Sequence, residues 1–185
     1  HRFTRLWRKL GWSIHETDVM LAALGQSDIT ATTIGRLESV SLLASATKLA
    51  PNQLAVAWGA IDTAGKKSLY RKLFLNKAVQ QIDPAFEPDA WGDFLTGGAV
   101  LGDHQSALIA AFRMREEDLA AILRVARVTD LGALRPLNPS VDLLNLANVS
   151  TLYRYVMLAK ALKLRVADLC TLVELFGASP FSTWD

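Results

Sequence analysis

The chain of 185 residues is short of almost every residue that carries chemistry. It has one cysteine, Cys170, which rules out an internal disulfide and a cysteine-based metal cluster. Cys170 falls at a helical position between Leu169 and Leu172, the place of a packed thiol rather than a nucleophile. Three histidines occur, His1, His15 and His104, none with a histidine or cysteine three or four residues on, so they read as surface residues and not as a ligand set. No run of about 18 apolar residues exists, so no helix is expected to span a bilayer. The formal net charge of +2 is too small to argue by itself for nucleic acid or a membrane surface. Serines are plentiful, yet no Gly-x-Ser-x-Gly elbow is present. Gly97, Gly98 and Gly102 lack the preceding strand and following lysine of a phosphate loop. Strand signals are also scarce. The clearest alternation, Leu162 to Val166, lies at a turn between two helical stripes.

What the chain does hold is apolar residue at helical spacing, within a composition that is 51% hydrophobic and 21% charged. One stretch recurs. Leu158-Ala-Lys-Ala-Leu162-Lys-Leu164-Arg-Val166-Ala-Asp168-Leu169 is the end of one amphipathic helix, a turn, and the start of the next. Leu108 to Ile122 repeats it, with Phe112, Met114, Asp118, Leu119 and Ile122 in the places of Leu162, Leu164, Asp168, Leu169 and Leu172. Looser copies run from Leu43 to Ala57, through Leu49, Pro51 and Leu54, and from Leu6 to Met20, through Leu10, Trp12, Ile14 and Glu16. A degenerate helix-turn-helix unit used repeatedly predicts an all-α fold, a helical array or part of a shell.

The expected organisation is a single all-α domain or a fragment of a larger shell over 1–185, with a first helical group over 1–59, an irregular connection with a short helix over 60–102, and a second helical group over 103–185. The first helix spans about 1–10 and Gly11 ends it. Ser13 and Glu16 have the spacing of a capping box. A third helix is expected over 32–49 with Ile34, Leu37, Val40, Leu43 and Ala44 buried, and a fourth from Pro51 through Trp58. Within the connection, Ser68 to Asn76 reads as the short helix. Asp103 is placed to cap a helix from His104 to Arg113, with Arg115 to Val128 as its partner. Thr129 to Leu144 reads as a second connection, and 148–163 with 166–176 as the final pair.

Two charged features carry a sharper reading. Glu116-Glu117-Asp118 concentrates carboxylate, but at a helix start, where the dipole favours negative charge. Arg2, Arg5, Arg8 and Lys9 form a basic helix beside a helix-turn-helix unit, which would suit phosphate contacts. Glu16 and Asp18 follow at once, and the second helix, with Val19, Met20, Leu21 and Leu24, offers few side chains to read bases. Of the five tryptophans, Trp7 and Trp58 fall on apolar stripes and read as packing residues.

Several blocks, in order along nearly the whole chain, resemble the A subunits of the Tc (toxin complex) insecticidal toxins. They are Arg5-Leu-Trp-Arg-Lys-Leu-Gly-Trp-Ser-Ile14, Ile61-Asp-Thr, Ser68-Leu-Tyr-Arg-Lys-Leu-Phe-Leu-Asn76, Leu144-Asn-Leu-Ala-Asn-Val-Ser-Thr-Leu152-Tyr-Arg-Tyr155 with Leu158-Ala-Lys-Ala-Leu162-Lys-Leu164, and Gly177-Ala-Ser-Pro180-Phe181. The resemblance implies a non-catalytic portion of the α-helical shell of a large pentameric subunit that supports toxin translocation into host cells. Its partners would be neighbouring domains or protomers, with no nucleic acid, no small-molecule substrate, no cofactor and no membrane span in this piece. No catalytic, cofactor-binding or metal-binding residue is assigned. The setting implied is a secreted or cell-surface bacterial toxin component. The first residues, interrupted by Arg5, Arg8 and Lys9, do not read as a secretory signal, and the chain reads as an excised shell fragment or a stand-alone relative. The alternative from the residues alone is a stand-alone helical adaptor or a nucleic-acid-binding helix-turn-helix module.

Overall fold

A computed structural model describes residues 2–130 and 132–181. The chain is mostly helical. In order, the described α-helices are α1 (Arg2–Leu10), α2 (Ile14–Ala23), α3 (Ala31–Thr47), α4 (Pro51–Leu54), α5 (Leu69–Phe74), α6 (Lys77–Gln80), α7 (Gln105–Phe112), α8 (Glu116–Val125), α9 (Leu146–Leu162) and α10 (Val166–Phe176). Strands β1 (Arg127–Asp130) and β2 (Ala133–Pro136) lie between α8 and α9. The chain divides into two compact units, His1–Asp62 and Thr63–Asp185, so the segment 60–102 belongs almost wholly with the second.

In the first unit, α2 and α3 both pack on α4. Met20, Leu24, Leu37, Val40, Leu54, Ala55 and Val56 form its core. Ser13 caps α2 with both halves of a capping box: its Oγ accepts from Glu16 N, and its N–H donates to Glu16 Oε2 at 2.9 Å. The buried face of α3 departs from the expected stripe by about one residue. Leu37 and Val40 are buried, but Ile34 and Leu43 are exposed and Thr33 takes the inner place. Thr33 tolerates burial because its Oγ1 is hydrogen-bonded to Thr30 Oγ1, Gln26 Oε1 and Asp28 O, all at 3.0 Å or less. The expected fourth helix is only one α-turn long and continues as a 3₁₀ turn over Ala55–Ala57. Gly59 follows this turn where the backbone passes close to α2. It sits so close to α2 that a Cβ there would lie 3.0 Å from Ala23 Cβ.

The second unit is built on an aromatic cluster. Phe74 stacks on Phe86 with centroids 4.7 Å apart, and Phe112 meets Tyr153 at 5.4 Å. Tyr70 is fully buried and donates its hydroxyl to Phe86 O at 3.0 Å. Burial also pushes the Tyr70 phenol well above its usual range. The expected short helix is present as α5, with the Ser68 hydroxyl accepting from Arg71 N.

Three expectations are corrected here. Asp103 does not cap a helix; Leu101–His104 form a 3₁₀ turn, His104 precedes α7, and no side chain caps it. The expected partner helix stops at Val125, three residues early, because Arg127 to Asp130 pairs antiparallel with Ala133 to Pro136. Among the described residues the fold is therefore helical with one small β-hairpin, whose turn uses Gly132 at φ +84°. Beyond it, the segment expected to be a plain connection is anchored on both sides. Leu101 N donates to Asp142 O, Leu144 N donates to Ala99 O, and Gly102 approaches Pro139 so closely that a Cβ would lie 2.7 Å from its carbonyl oxygen.

Candidate functional site

The four sequence copies share one backbone joint. In each, a helix ends, one residue turns into the left-handed region, two residues follow, and the next helix starts. The left-handed residue is Gly11 (φ +70°), Lys48 (φ +61°), Arg113 (φ +54°) and Lys163 (φ +57°) in turn. Each occupies the same place relative to the aligned Leu10, Thr47, Phe112 and Leu162. A left-handed residue lets the chain leave the helix while closing its last carbonyls, as in the bonds from Met114 N to Ile109 O and from Leu164 N to Ala159 O. Two residues later the backbone is extended at Ser13, Ala50, Arg115 and Arg165, which stand just before α2, α4, α8 and α10.

The side chain three residues into each new helix reaches back to that extended residue. Glu16 accepts from Ser13 N, Gln53 from Ala50 N at 3.1 Å, and Asp118 from Arg115 N at 3.0 Å. In the fourth copy Asp168 instead grips the Arg165 guanidinium, at 2.9 and 2.8 Å. This contact holds the Asp168 carboxyl below its ordinary value. The next position points inward every time: Thr17, Leu54, Leu119 and Leu169 are all buried. The carboxylates Glu117 and Asp118 thus belong to the start of α8, with Glu117 paired to Arg115 at 3.0 Å.

The helices that follow the joints pack on one another, α2 with α4 in the first unit and α8 with α10 in the second. The turns of the last two copies lie side by side. Between them is a cleft of about 210 Å³ on a floor that includes Phe112 and Val156. Arg113, Arg115, Lys160 and Arg165 line it together with Glu117 and Asp118. Burial, and then the nearby Arg113 charge, lower the Lys160 pKa from its usual value.

The histidines differ from the expectation of chance surface residues. His15 Nε2 lies 2.7 Å from Asp62 Oδ2, and Asp62 is nearly buried. His104 Nδ1 contacts Asp83 Oδ2, with both side chains mostly covered. These pairs join residues 47 and 21 positions apart, a separation that no local pattern announces. His1 lies outside the described residues. Each pair ties together segments that are distant in sequence. Cys170 is buried, and burial pushes its thiol up to about 11, which suits packing and opposes nucleophilicity at neutral pH. No group of three or more metal-ligating side chains converges among the described residues. No helix there is long and apolar enough to cross a membrane.

The chain matches no protein-family model, no curated protein and no solved structure at a significant level. The remaining singled-out residues sit as follows. Trp7, Trp12 and Trp58 are half-buried, Trp91 is 90% exposed, and Trp184 is outside the described residues. Arg8 lies over the Trp7 ring at 5.6 Å, and Arg2 stands 4.0 Å from Asp28. Arg5 and Lys9 are exposed. The recurring joint was legible as a repeat, whereas the left-handed residues within it were not. Lysine and arginine carry no sign of that conformation, and only Gly11 offered the signal.

Proposed function

We propose that this chain is a non-catalytic scaffold module, a structural portion of the helical shell of a Tc-toxin-like A subunit that supports toxin translocation. The observation that carries the scaffold reading is the joint itself. One backbone geometry is used four times with an inward residue at the same position and with packing between post-joint helices. A repeated joint of this kind sets helix direction over and over, which is what a wall needs and a catalytic centre does not. The toxin assignment rests on the sequence blocks in order, from Arg5–Ile14 to Gly177–Phe181. In this reading the units are arrays of helical pairs, and their work is mechanical: they hold shape and offer faces to neighbouring domains or protomers.

The reading frame that encodes the chain gives the test. A frame that extends into further copies of the same joint and into a channel-forming region is the expected result. A frame ending in an unrelated catalytic or DNA-binding domain would overturn the toxin assignment. The basic face of α1 favours the second reading, a nucleic-acid-binding module, since Arg5, Arg8 and Lys9 project from one short helix. A titration against duplex DNA separates the two.

A further inference from the structure

The cleft between the last two turns holds positive charge that the chain leaves unpaired. Four cations line it, Arg113, Arg115, Lys160 and Arg165. Three carboxylates stand beside them, and each is engaged. Glu117 meets Arg115 at 3.0 Å, and Asp168 holds Arg165 at 2.8 Å. Asp118 accepts from the backbone N–H of Arg115 at 3.0 Å. Neither Arg113 nor Lys160 enters an ion pair among the described residues. Burial, and then the Arg113 charge, push the Lys160 ammonium below its usual pKa, and no carboxylate offsets them.

The repeat does not require this pair. Lys160 aligns with Ala110 in the preceding copy, and Arg113 aligns with Gly11 in the first. Two cations that repel one another thus stand where the joint accepts small neutral residues. The rest of the cleft narrows the choice of partner. Phe112 and Val156 make its floor, and Met114, Leu164 and Val166 add apolar walls. Its volume of about 210 Å³ is below the roughly 300 Å³ at which pockets for drug-sized ligands begin, so it suits a small molecule and not a nucleotide. Four cations against the three carboxylates Glu117, Asp118 and Asp168 leave one positive charge, which matches a single negative one. Arg113 and Lys160 are both exposed, so a ligand reaches them from solvent.

We infer that this cleft binds a small organic monocarboxylate, its carboxylate held by Arg113 and Lys160 and its short apolar body lying against Met114, Leu164 and Val166. The Arg113 guanidinium offers a fork that matches a carboxylate, and the Lys160 ammonium adds a point charge. The bound anion replaces repulsion between the two cations with attraction to both. The site stands on the cleft and its charges and does not depend on the toxin reading.

Calorimetric titration of the whole chain with hexanoate tests it, with hexanol and inorganic phosphate as comparison ligands in a buffer free of carboxylate and phosphate. One hexanoate should bind per chain, with a Kd on the order of 1 mM, as befits so few ligand atoms. Hexanol lacks the charge and phosphate lacks the apolar body, so each should bind at least about tenfold more weakly. Two variants locate the site. Lys160→Met removes the charge and keeps the apolar stem. Arg113→Gly removes the other charge and suits the left-handed backbone, so lost binding there does not come from lost folding. Each should weaken hexanoate about tenfold. Hexanoate should also raise the melting temperature of the wild-type chain more than that of either variant. Amide shifts in the wild-type chain give a readout independent of the variants, and they should move at Arg113, Lys160 and Leu164. Hexanoate that does not saturate, phosphate or hexanol that binds as tightly, affinity unchanged in both variants, or shifts confined to other residues would each overturn the proposal.

Discussion

Leu169 and Leu172 stand three residues apart on α10 and should respond to truncation very unequally. Leu169 is buried, like Leu119 and Leu54 at the same place in their copies, whereas Leu172 is 40% exposed. Leu169→Ala should cost roughly 2–5 kcal/mol in a denaturant titration, the range for an ordinary core leucine. Leu172→Ala in the monomer should cost no more than about 0.5 kcal/mol, the range for surface changes. Equal losses would mean that the burial read from the repeat is wrong. Asp142 offers a second test at this scale. Its carboxylate accepts from Arg135 Nη1 at 2.8 Å and Nη2 at 2.5 Å, and from Asn138 N at 2.7 Å. The Arg135 contact holds the Asp142 pKa below its usual 3.8. A carboxyl depressed by folding stabilises fully above its unfolded value and loses that contribution as pH falls through the folded one. Asp142→Asn should therefore cost roughly 1–3 kcal/mol at neutral pH, the cost of breaking a charged hydrogen-bonded pair. The deficit should shrink as pH drops below about 3.8. A deficit that is flat with pH would show that the ion pair does not contribute.

At the scale of the element, the joint is the feature to perturb. Lys48, Arg113 and Lys163 hold left-handed backbone that glycine adopts without strain. Arg113→Gly and Lys163→Gly should each stabilise by up to about 1 kcal/mol, and Gly11→Val should destabilise by at least that much. Thermal melts of the three variants decide it, and a loss of stability in Arg113→Gly would contradict the assigned backbone. The legibility of the fold divides at the same scale. The four joints were visible because each couples an apolar residue just after the turn to a polar one at the third helical position. That is a local pattern set by helix-end hydrogen bonding. The hairpin at β1 and β2 was not visible. Arg127-Val-Thr-Asp130 and Ala133-Leu-Arg-Pro136 are too short for alternation to register, and Val128 follows an uninterrupted helical stripe. The inner face of α3 was misread at Thr33 because a hydroxyl becomes buryable only once Thr30, Gln26 and Asp28 surround it. The His15–Asp62 and His104–Asp83 ties depend on tertiary approach, and no spacing rule reaches that far.

At the scale of the whole molecule, charge and the scaffold reading make a joint prediction about nucleic acid. The basic residues of α1 face a chain whose net charge is only +2. Binding to duplex DNA at near-physiological salt should be no tighter than about 10⁻⁴–10⁻⁶ M and indifferent to sequence. Sub-micromolar binding to one sequence over scrambled competitors would favour the nucleic-acid module instead. The most direct measurement of the central claim is electron cryomicroscopy of the protein in its assembled state. The account predicts that the chain forms part of a helical wall, with the four joints at Gly11, Lys48, Arg113 and Lys163 intact. A map in which this chain lines a catalytic cavity, or in which it stands apart from any helical wall, would contradict it.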